Sequence, residues 1–277
     1  MDWLRESPHM TTTDASIFKF QHGVSTIFEI TRGQNRSCWQ TQATNLSSDS
    51  EWVSWLENRD SSSHSLADGI CLVLAGRAER ECPDPTLLSR LPFSEEIFGK
   101  ISKELFIHSS FLRVINRNTA AHCSRQLNAW GLSAPAAIVY NCRSSASWPD
   151  DIALSTTYIT KRRFTYAIMY GCRSDLATIV MSRLSNCDLT TFHPLSLPMF
   201  LADIERNRQV DMVEKYVSKL LQRVLNMSIL SRNFMSEDRS EYLGLNTTNT
   251  NGSSLTEDHE SILDWLEMNH IRDGLKN

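Results

Sequence analysis

Glycine is scarce in this sequence, with ten residues in a chain of 277. Loops that cradle phosphate groups through backbone amides depend on closely spaced glycines. Neither a phosphate loop nor a dinucleotide-binding glycine fingerprint occurs, and the Gly-x-Ser-x-Gly and His-Glu-x-x-His patterns of hydrolases are missing as well. These absences argue against a nucleotide-dependent enzyme and leave hydrolysis without its strongest motifs.

Long apolar runs and a surplus of one charge are also missing. The longest apolar runs, residues 70–75 and 136–140, have the length of a strand, whereas a membrane-spanning helix needs roughly 20 such residues. Residues 1–6 are polar and acidic, unlike a secretory signal. The 28 basic and 32 acidic side chains give a net charge of -4, which provides no general attraction for nucleic acid or anionic lipid. We therefore expect neither a nucleic-acid partner nor direct membrane insertion.

The cysteines show no metal or redox pattern. There are seven, an odd number, and no two form a Cys-x-x-Cys pair. Cys71 and Cys172 lie in or beside apolar runs, where a reduced cysteine behaves as a small hydrophobic residue. We expect seven free thiols in a reducing compartment, and therefore a cytoplasmic location.

The first two thirds of the chain alternate between strand and helix patterns. The predicted strands are residues 26–30, 70–75, 111–115, 136–140, 152–159 and 164–170, the last two forming a hairpin through a turn at 161–163. A helix is predicted after Asp49, a second after Ser94, and a third after Ser174. These patterns predict a mixed α+β fold with a central mixed sheet flanked by helices.

Long helices are predicted to follow this body. No glycine or proline interrupts residues 199–230, where Val210, Val213, Val217, Leu220 and Val224 repeat at helical spacing. Residues 231–258 are polar and aperiodic, as in a linker, and a last helix is predicted around 262–270. The expected organisation is a polar N-terminal extension with short elements at 1–65, an α/β body at 66–192 and a helical region at 193–277.

Two groups of residues are candidates for acid–base or nucleophilic chemistry. Asp150 and Asp151 are adjacent carboxylates, but neighbouring residues in an extended segment point to opposite sides, and a polar loop is the simpler interpretation. His122 lies beside Cys123 and Ser124, yet adjacent positions do not converge on one another unaided. A hydrolase using His122 and Asp150 or Asp151 is therefore the weakest functional alternative.

The predicted long helix carries a row of oxygen ligands. Asp203, Asn207, Asp211 and Glu214 fall within roughly 80° of one another on a helical wheel. Such a row suits a hydrated divalent cation such as Mg²⁺, although a single helix seldom supplies enough converging oxygens. A solvated face that carries ion pairs is the alternative interpretation.

Several segments resemble fungal CorA-like magnesium transporter proteins. The matching stretches are residues 111–117 (Phe-Leu-Arg-Val-Ile-Asn-Arg), 119–122, 140–144 (Tyr-Asn-Cys-Arg-Ser), 148–155 (Trp-Pro-Asp-Asp-Ile-Ala-Leu-Ser), 165–172 and 193–198, followed by Glu205-Arg206, with a weaker likeness at 265–275. The resemblance implies a cytosolic α/β domain that feeds long helices, which in relatives end in two membrane spans and assemble into divalent-cation channels. The sequence departs from that pattern because no spanning segment is present, and Gly244-Leu245-Asn246 is its only triplet similar to the family's pore motif.

The preferred functional interpretation is a non-enzymatic, CorA-like cytosolic domain, truncated or incomplete and unable to transport ions alone. Its expected partners are further copies of itself or related transporter subunits, bound through the long helices. Mg²⁺ is the candidate ion, and the location would change to the membrane if the full gene encodes the missing spans. A scaffold unrelated to cation transport is the alternative with the same fold.

Overall fold

The structure is a computed structural model that describes residues 16, 18–32, 39–62, 68–76, 88, 90–116, 122–129, 136–144, 151–186 and 194–241. Within these residues the helices and strands, in chain order, are β1 (Lys19–Phe20), β2 (Ser25–Arg32), β3 (Trp39–Leu46), α1 (Asp49–Ser62), β4 (Gly69–Gly76), β5 (Arg90–Leu91), α2 (Glu95–Glu104), α3 (Phe111–Asn116), β6 (His122–Ala129), β7 (Ala136–Arg143), β8 (Ala153–Ile159), β9 (Phe164–Cys172), α4 (Ser174–Asn186) and α5 (Ser196–Glu241).

A mixed sheet of seven strands organises the body, in the order β3-β2-β4-β9-β8-β7-β6. Neighbouring strands are antiparallel except for β4 and β9, which run parallel at the centre. The short strands β1 and β5 form a separate parallel pair. The prediction of a mixed α+β fold around a central mixed sheet is confirmed.

The central strands are buried on both faces. Residues 70–75 of β4 are all at most 2% exposed, as the uninterrupted apolar run predicts. Cys71, Val73 and Ala75 join a large core cluster with apolar side chains of α1, α2 and α3. The alternate side chains of β4 point to the opposite face, and their burial shows that this face is covered too.

Helix α2 begins as its sequence predicts. The Ser94 hydroxyl accepts a hydrogen bond from the Ile97 amide at 3.3 Å, which caps the first turn. Ile97 and Ile101 are buried in the core cluster. Burial of each such side chain contributes about 1.5–3 kcal/mol to the free energy of folding.

Residues 111–115 form helix α3, so the predicted strand at this position is wrong. The apolar residues of this segment are all buried: Phe111, Leu112, Val114 and Ile115. In so short an apolar run, the hydrophobic periodicity cannot distinguish a helix from a strand. The turn that starts the helix is set by the amides of Phe111 and Leu112, which donate to the carbonyls of His108 and Ser109 at 3.0 Å. The local hydrogen bonds and the packing therefore override the strand preference of the β-branched residues.

Helix α5 confirms the predicted long helix and extends it at both ends, to 46 residues. The predicted polar linker at 231–258 is wrong for residues 231–241, which continue the helix. Polarity alone does not end a helix, and these residues contain neither glycine nor proline. The rest of that linker and the predicted helix at 262–270 lie outside the described residues.

The chain divides into two compact units, residues 1–202 and 203–276. Segment 1–65, expected as an extension, supplies β2 and β3 to the main sheet, where Ser25–Thr31 pairs with Gly69–Ala75. Strands β2 and β3 of this segment are therefore an integral part of the first unit. Within the described residues, none of the helices combines the length and apolar character that a bilayer crossing requires.

Candidate functional site

Of the two carboxylates considered for acid–base chemistry, Asp151 is described, and it pairs with an arginine. Asp151 is 2% exposed, and its Oδ2 accepts a hydrogen bond from a terminal nitrogen of Arg143 at 2.8 Å. Asp151 lies in the loop before β8, as expected, but its carboxylate is buried and neutralised by an arginine instead of facing solvent. Asp150 lies outside the described residues.

The other hydrolase candidates lie on strand β6. His122 is paired with Arg143 in the sheet register, and Ser124 with Asn141. The side chains of His122 and Ser124 are outside the described part of the structure. Cys123 is exposed and is considered below with its neighbour on β7.

Arg143 connects three parts of the fold. Besides Asp151, its guanidinium donates to the backbone carbonyl oxygens of Val114 at 2.9 Å and Ile115 at 2.5 Å. The last carbonyls of a helix have no partner within the helix, so this side chain satisfies the end of α3. The buried charge thereby gains both an anion and two carbonyl dipoles.

A second set of hydrogen bonds supports the beginning of α3. The Asn141 amide nitrogen donates to the Ser110 hydroxyl at 2.8 Å, and that hydroxyl lies 2.7 Å from Nδ1 of His108. The Ser110 amide also donates to Nδ1 at 3.1 Å, so this nitrogen acts as an acceptor. His108 and Asn141 are each 1% exposed, so the serine–histidine contact faces the interior and not solvent.

We call His108, Ser110, Asn141, Arg143 and Asp151 the polar cluster. Its members are all buried, and they fix both ends of α3 to strand β7 and to the residues before β8. Buried polar groups are tolerated when they are mutually hydrogen-bonded. The polar cluster therefore attaches α3 to the sheet by hydrogen bonds.

Described residues of three sequence segments, 111–117, 140–144 and 148–155, meet at this cluster. Arg143 belongs to the segment 140–144, it bonds carbonyls of the segment 111–117, and it pairs with Asp151 of the segment 148–155. Ser144 adds a hydrogen bond of 2.6 Å from the Ile152 amide. The described residues of these three segments are thus hydrogen-bonded to one another in the fold.

Helix α5 carries an exposed row of apolar side chains. The interaction row, as we call it, consists of Val210, Val213, Val217, Leu220, Val224 and Met227, each between 42% and 61% exposed. Their spacing alternates between three and four residues, which is the heptad pattern of helices that pack side by side. Exposed apolar rows of this kind mark sites of protein association.

The side chains beside the interaction row add to its apolar character. Leu221 is 57% exposed, and in the heptad pattern it takes a position that flanks the row, as Tyr216 does on the other side. The opposite side of the helix carries the exposed polar residues Lys215, Ser218 and Gln222, and one exposed apolar residue, Leu225. The row is therefore one coherent face of the helix.

The row of oxygen ligands predicted on α5, which consists of Asp203, Asn207, Asp211 and Glu214, does not form a ligand cluster. Asp211 and Glu214 are exposed, as is Asn207, and Asp203 is partly exposed. The neighbouring Glu205 pairs with Arg208 at 2.5 Å. Across the described ranges, no three histidine, cysteine, aspartate or glutamate side chains converge as a metal site would require, so magnesium binding by Asp203, Asp211 and Glu214 stays a prediction.

Four cysteines fall within the described residues, and all are free thiols. Burial raises the pKa of Cys71 and of Cys172 to about 12 in each case, so both thiols remain protonated at neutral pH. Cys142 is also buried, and it faces the exposed Cys123 across strands β7 and β6. This facing pair was missed because strand β6 was not predicted.

Comparison with known proteins adds no relative. No protein-family model matches the chain, and no curated protein matches it.

Proposed function

We propose that this chain is a CorA-like cytosolic domain that acts without catalysis, by associating with a second copy of itself through helix α5. The observation that carries the proposal is the interaction row, six apolar side chains at heptad spacing on an exposed helix face. The assignment to the CorA-like family rests on the sequence segments that resemble it. The proposed reducing, cytoplasmic location rests on the free thiols of the four described cysteines.

The composition of the row favours a parallel pair of helices. In heptad terms the first position of each repeat is Val210, Val217 and Val224, and the fourth is Val213, Leu220 and Met227. β-branched residues at the first position with leucine at the fourth favour a parallel pair of helices. Leu220 matches this rule and the unbranched Met227 is close to it, whereas Val213 departs from it. In such a pair Tyr216 of one copy lies beside Leu221 of the other, which extends the apolar contact.

Burial supplies the driving force. The side chains of the row are about half exposed in the single chain, and each apolar Å² removed from water contributes about 25 cal/mol. Related subunits that carry the same heptad pattern on their long helices would bind by the same contacts. A scaffold unrelated to cations would need a complementary row on a different protein.

Sedimentation velocity of the full chain tests the proposal. We expect the wild type to associate with increasing concentration and the double variant Val217→Glu/Leu220→Glu to be monomeric, because the two carboxylates would be buried at the interface. We expect the dissociation constant to rise at least tenfold, equivalent to about 1.4 kcal/mol or more.

Ser218→Glu/Gln222→Glu is the matched control. It adds the same two charges to α5 at exposed positions outside the row, so association should persist. A wild type that stays monomeric, or a Val217→Glu/Leu220→Glu variant that associates as the wild type does, contradicts the proposal.

The cation part of the proposal needs its own measurement. Calorimetric titration with magnesium chloride should give binding heat for the wild type and less for Asp203→Ala/Asp211→Ala. Absence of heat, or equal heat in both proteins, removes Mg²⁺ from the proposed function and leaves association through α5 unaffected.

A further inference from the structure

Cys123 and Cys142 face each other across the edge of the sheet. They are direct partners in the antiparallel register of β6 and β7, and their sulfur atoms are 3.5 Å apart. Directly opposed residues in such a pair have Cα atoms about 4.5–5.5 Å apart, which falls inside the range that a disulfide bridge accepts. Formation of the bond requires the two sulfurs to approach to about 2.05 Å.

We propose that Cys123 and Cys142 form a reversible oxidation site, converted to a cross-strand disulfide by exchange with a low-molecular-weight disulfide such as oxidised glutathione. In the first step the Cys123 thiolate attacks one sulfur of that disulfide, and one thiol leaves. In the second, Cys142 gives up its proton and its sulfur attacks Sγ of Cys123, which releases the second thiol. Two protein thiols are oxidised, and one small disulfide is reduced to two thiols.

The different exposure of the two sulfurs fixes the order of the steps. Cys123 is exposed and can meet a dissolved disulfide, whereas Cys142 is 5% exposed. Burial, with a further contribution from the neighbouring Cys123 sulfur, raises the pKa of Cys142 above its ordinary value. The thiolate is the attacking species in exchange reactions, so Cys123 reacts first and Cys142 resolves the mixed disulfide from next to it.

The bond would join β6 to its sheet neighbour β7. Among the described strands, β6 ends the seven-stranded order and pairs with β7 alone. Cross-linking the two strands restricts the opening of β6, and a disulfide with one accessible sulfur is open to reduction by the same thiols that form it. The site is therefore suited to reversible modification and not to permanent stabilisation.

Peptide mass spectrometry of the full-length wild type tests the site directly. The folded protein is incubated in buffers with graded ratios of reduced to oxidised glutathione, and the remaining thiols are alkylated before digestion. We expect a peptide linked through Cys123 and Cys142 that lacks two hydrogen atoms, and that disappears when the ratio is returned to reducing values. Amide hydrogen exchange in β6 should slow in the oxidised form.

Two variants separate the steps. Cys142→Ser should accumulate glutathione on Cys123 as a stable mixed disulfide, whereas Cys123→Ser should leave Cys142 unmodified in the folded state. If either variant fails to fold, the measurement on the wild type still tests the proposal. Stable glutathione on wild-type Cys123 without the linked peptide, or a link from Cys123 to a different cysteine, overturns the proposal.

Discussion

The buried Arg143–Asp151 ion pair supports the end of α3, and its removal should be costly. Asp151→Asn keeps the shape of the side chain but leaves the Arg143 guanidinium without its anion in an environment where Asp151 is 2% exposed. Removing one partner of a buried pair typically costs about 3–5 kcal/mol. We expect the free energy of unfolding, measured by urea titration, to fall by that amount.

The exposed pair of Glu96 and Lys100 provides the control. Its N···O distance is 2.7 Å, close to the 2.8 Å of the buried pair, but Glu96 is 78% exposed. Exposed pairs of this spacing contribute about 0.3–0.5 kcal/mol, so Glu96→Gln should change little. Equal effects of the two substitutions would show that burial of the Arg143–Asp151 pair carries no energetic weight.

Gly69 and Gly99 should respond in opposite directions to alanine. A Cβ atom at Gly69 would lie 2.4 Å from the Ile30 carbonyl oxygen and 2.9 Å from the Phe164 ring, whereas one at Gly99 would have no neighbour within 4 Å. Gly69→Ala must displace backbone and should cost about 1–3 kcal/mol. Gly99→Ala removes a glycine from the interior of α2 and should gain about 0.8–1 kcal/mol.

Thermal and urea unfolding of both glycine variants beside the wild type checks these signs. Stabilisation by Gly69→Ala would mean that β2 and β4 are farther apart at this point than the register of Ile30 with Ile70 indicates.

At the scale of single elements, the start of α1 is a pH-dependent cap. The Glu51 carboxylate accepts hydrogen bonds from the amides of Ser47 at 2.7 Å and Ser48 at 3.2 Å, and the Ser48 hydroxyl lies 3.4 Å from the Glu51 amide. This is a capping box. Its cap residue is Ser48, one position before Asp49, after which the sequence predicts the helix.

These amide bonds, from Ser47 and then Ser48, lower the pKa of Glu51 from its ordinary value of 4.5. A carboxylate with a lowered pKa contributes stability that is present above the ordinary value and is lost as the pH falls through the lowered one. The difference in unfolding free energy between wild type and Glu51→Gln should therefore be positive at neutral pH and shrink in acid. A difference independent of pH would contradict the charged cap.

The two edge strands show why some elements could not be predicted from the sequence. Strand β3 is Trp-Gln-Thr-Gln-Ala-Thr-Asn-Leu and strand β6 is His-Cys-Ser-Arg-Gln-Leu-Asn-Ala. An edge strand with little apolar content lacks the alternation on which a strand prediction depends. Strands β4 and β9 are predictable from their long apolar runs, and β8 from its pairing with β9 through the turn at 161–163. Missing β6 also meant missing the Cys123–Cys142 pair.

The polar cluster was out of reach of the sequence for a different reason. Arg143 meets Val114 and Ile115, which are 29 and 28 residues away in the chain, and such contacts follow only from the packed topology. The interaction row of α5 was within reach because every member lies on one helix, where spacing alone fixes the face. The exposed face of a single helix can thus be predicted from the sequence, whereas contacts between residues distant in the chain cannot.

At the scale of the whole molecule, the proposed association should belong to the second unit alone. The first unit, residues 1–202, holds the sheet, the core cluster and the polar cluster, and the interaction row begins at Val210. A chain of residues 1–202 should therefore retain a cooperative unfolding transition, because its core remains complete, and should sediment as a monomer where the full chain associates. Circular dichroism melting and sedimentation velocity at matched concentrations measure both properties. Retained association of residues 1–202 would locate the contact surface on the α/β body, and loss of the unfolding transition would show that residues after 202 are required for its stability.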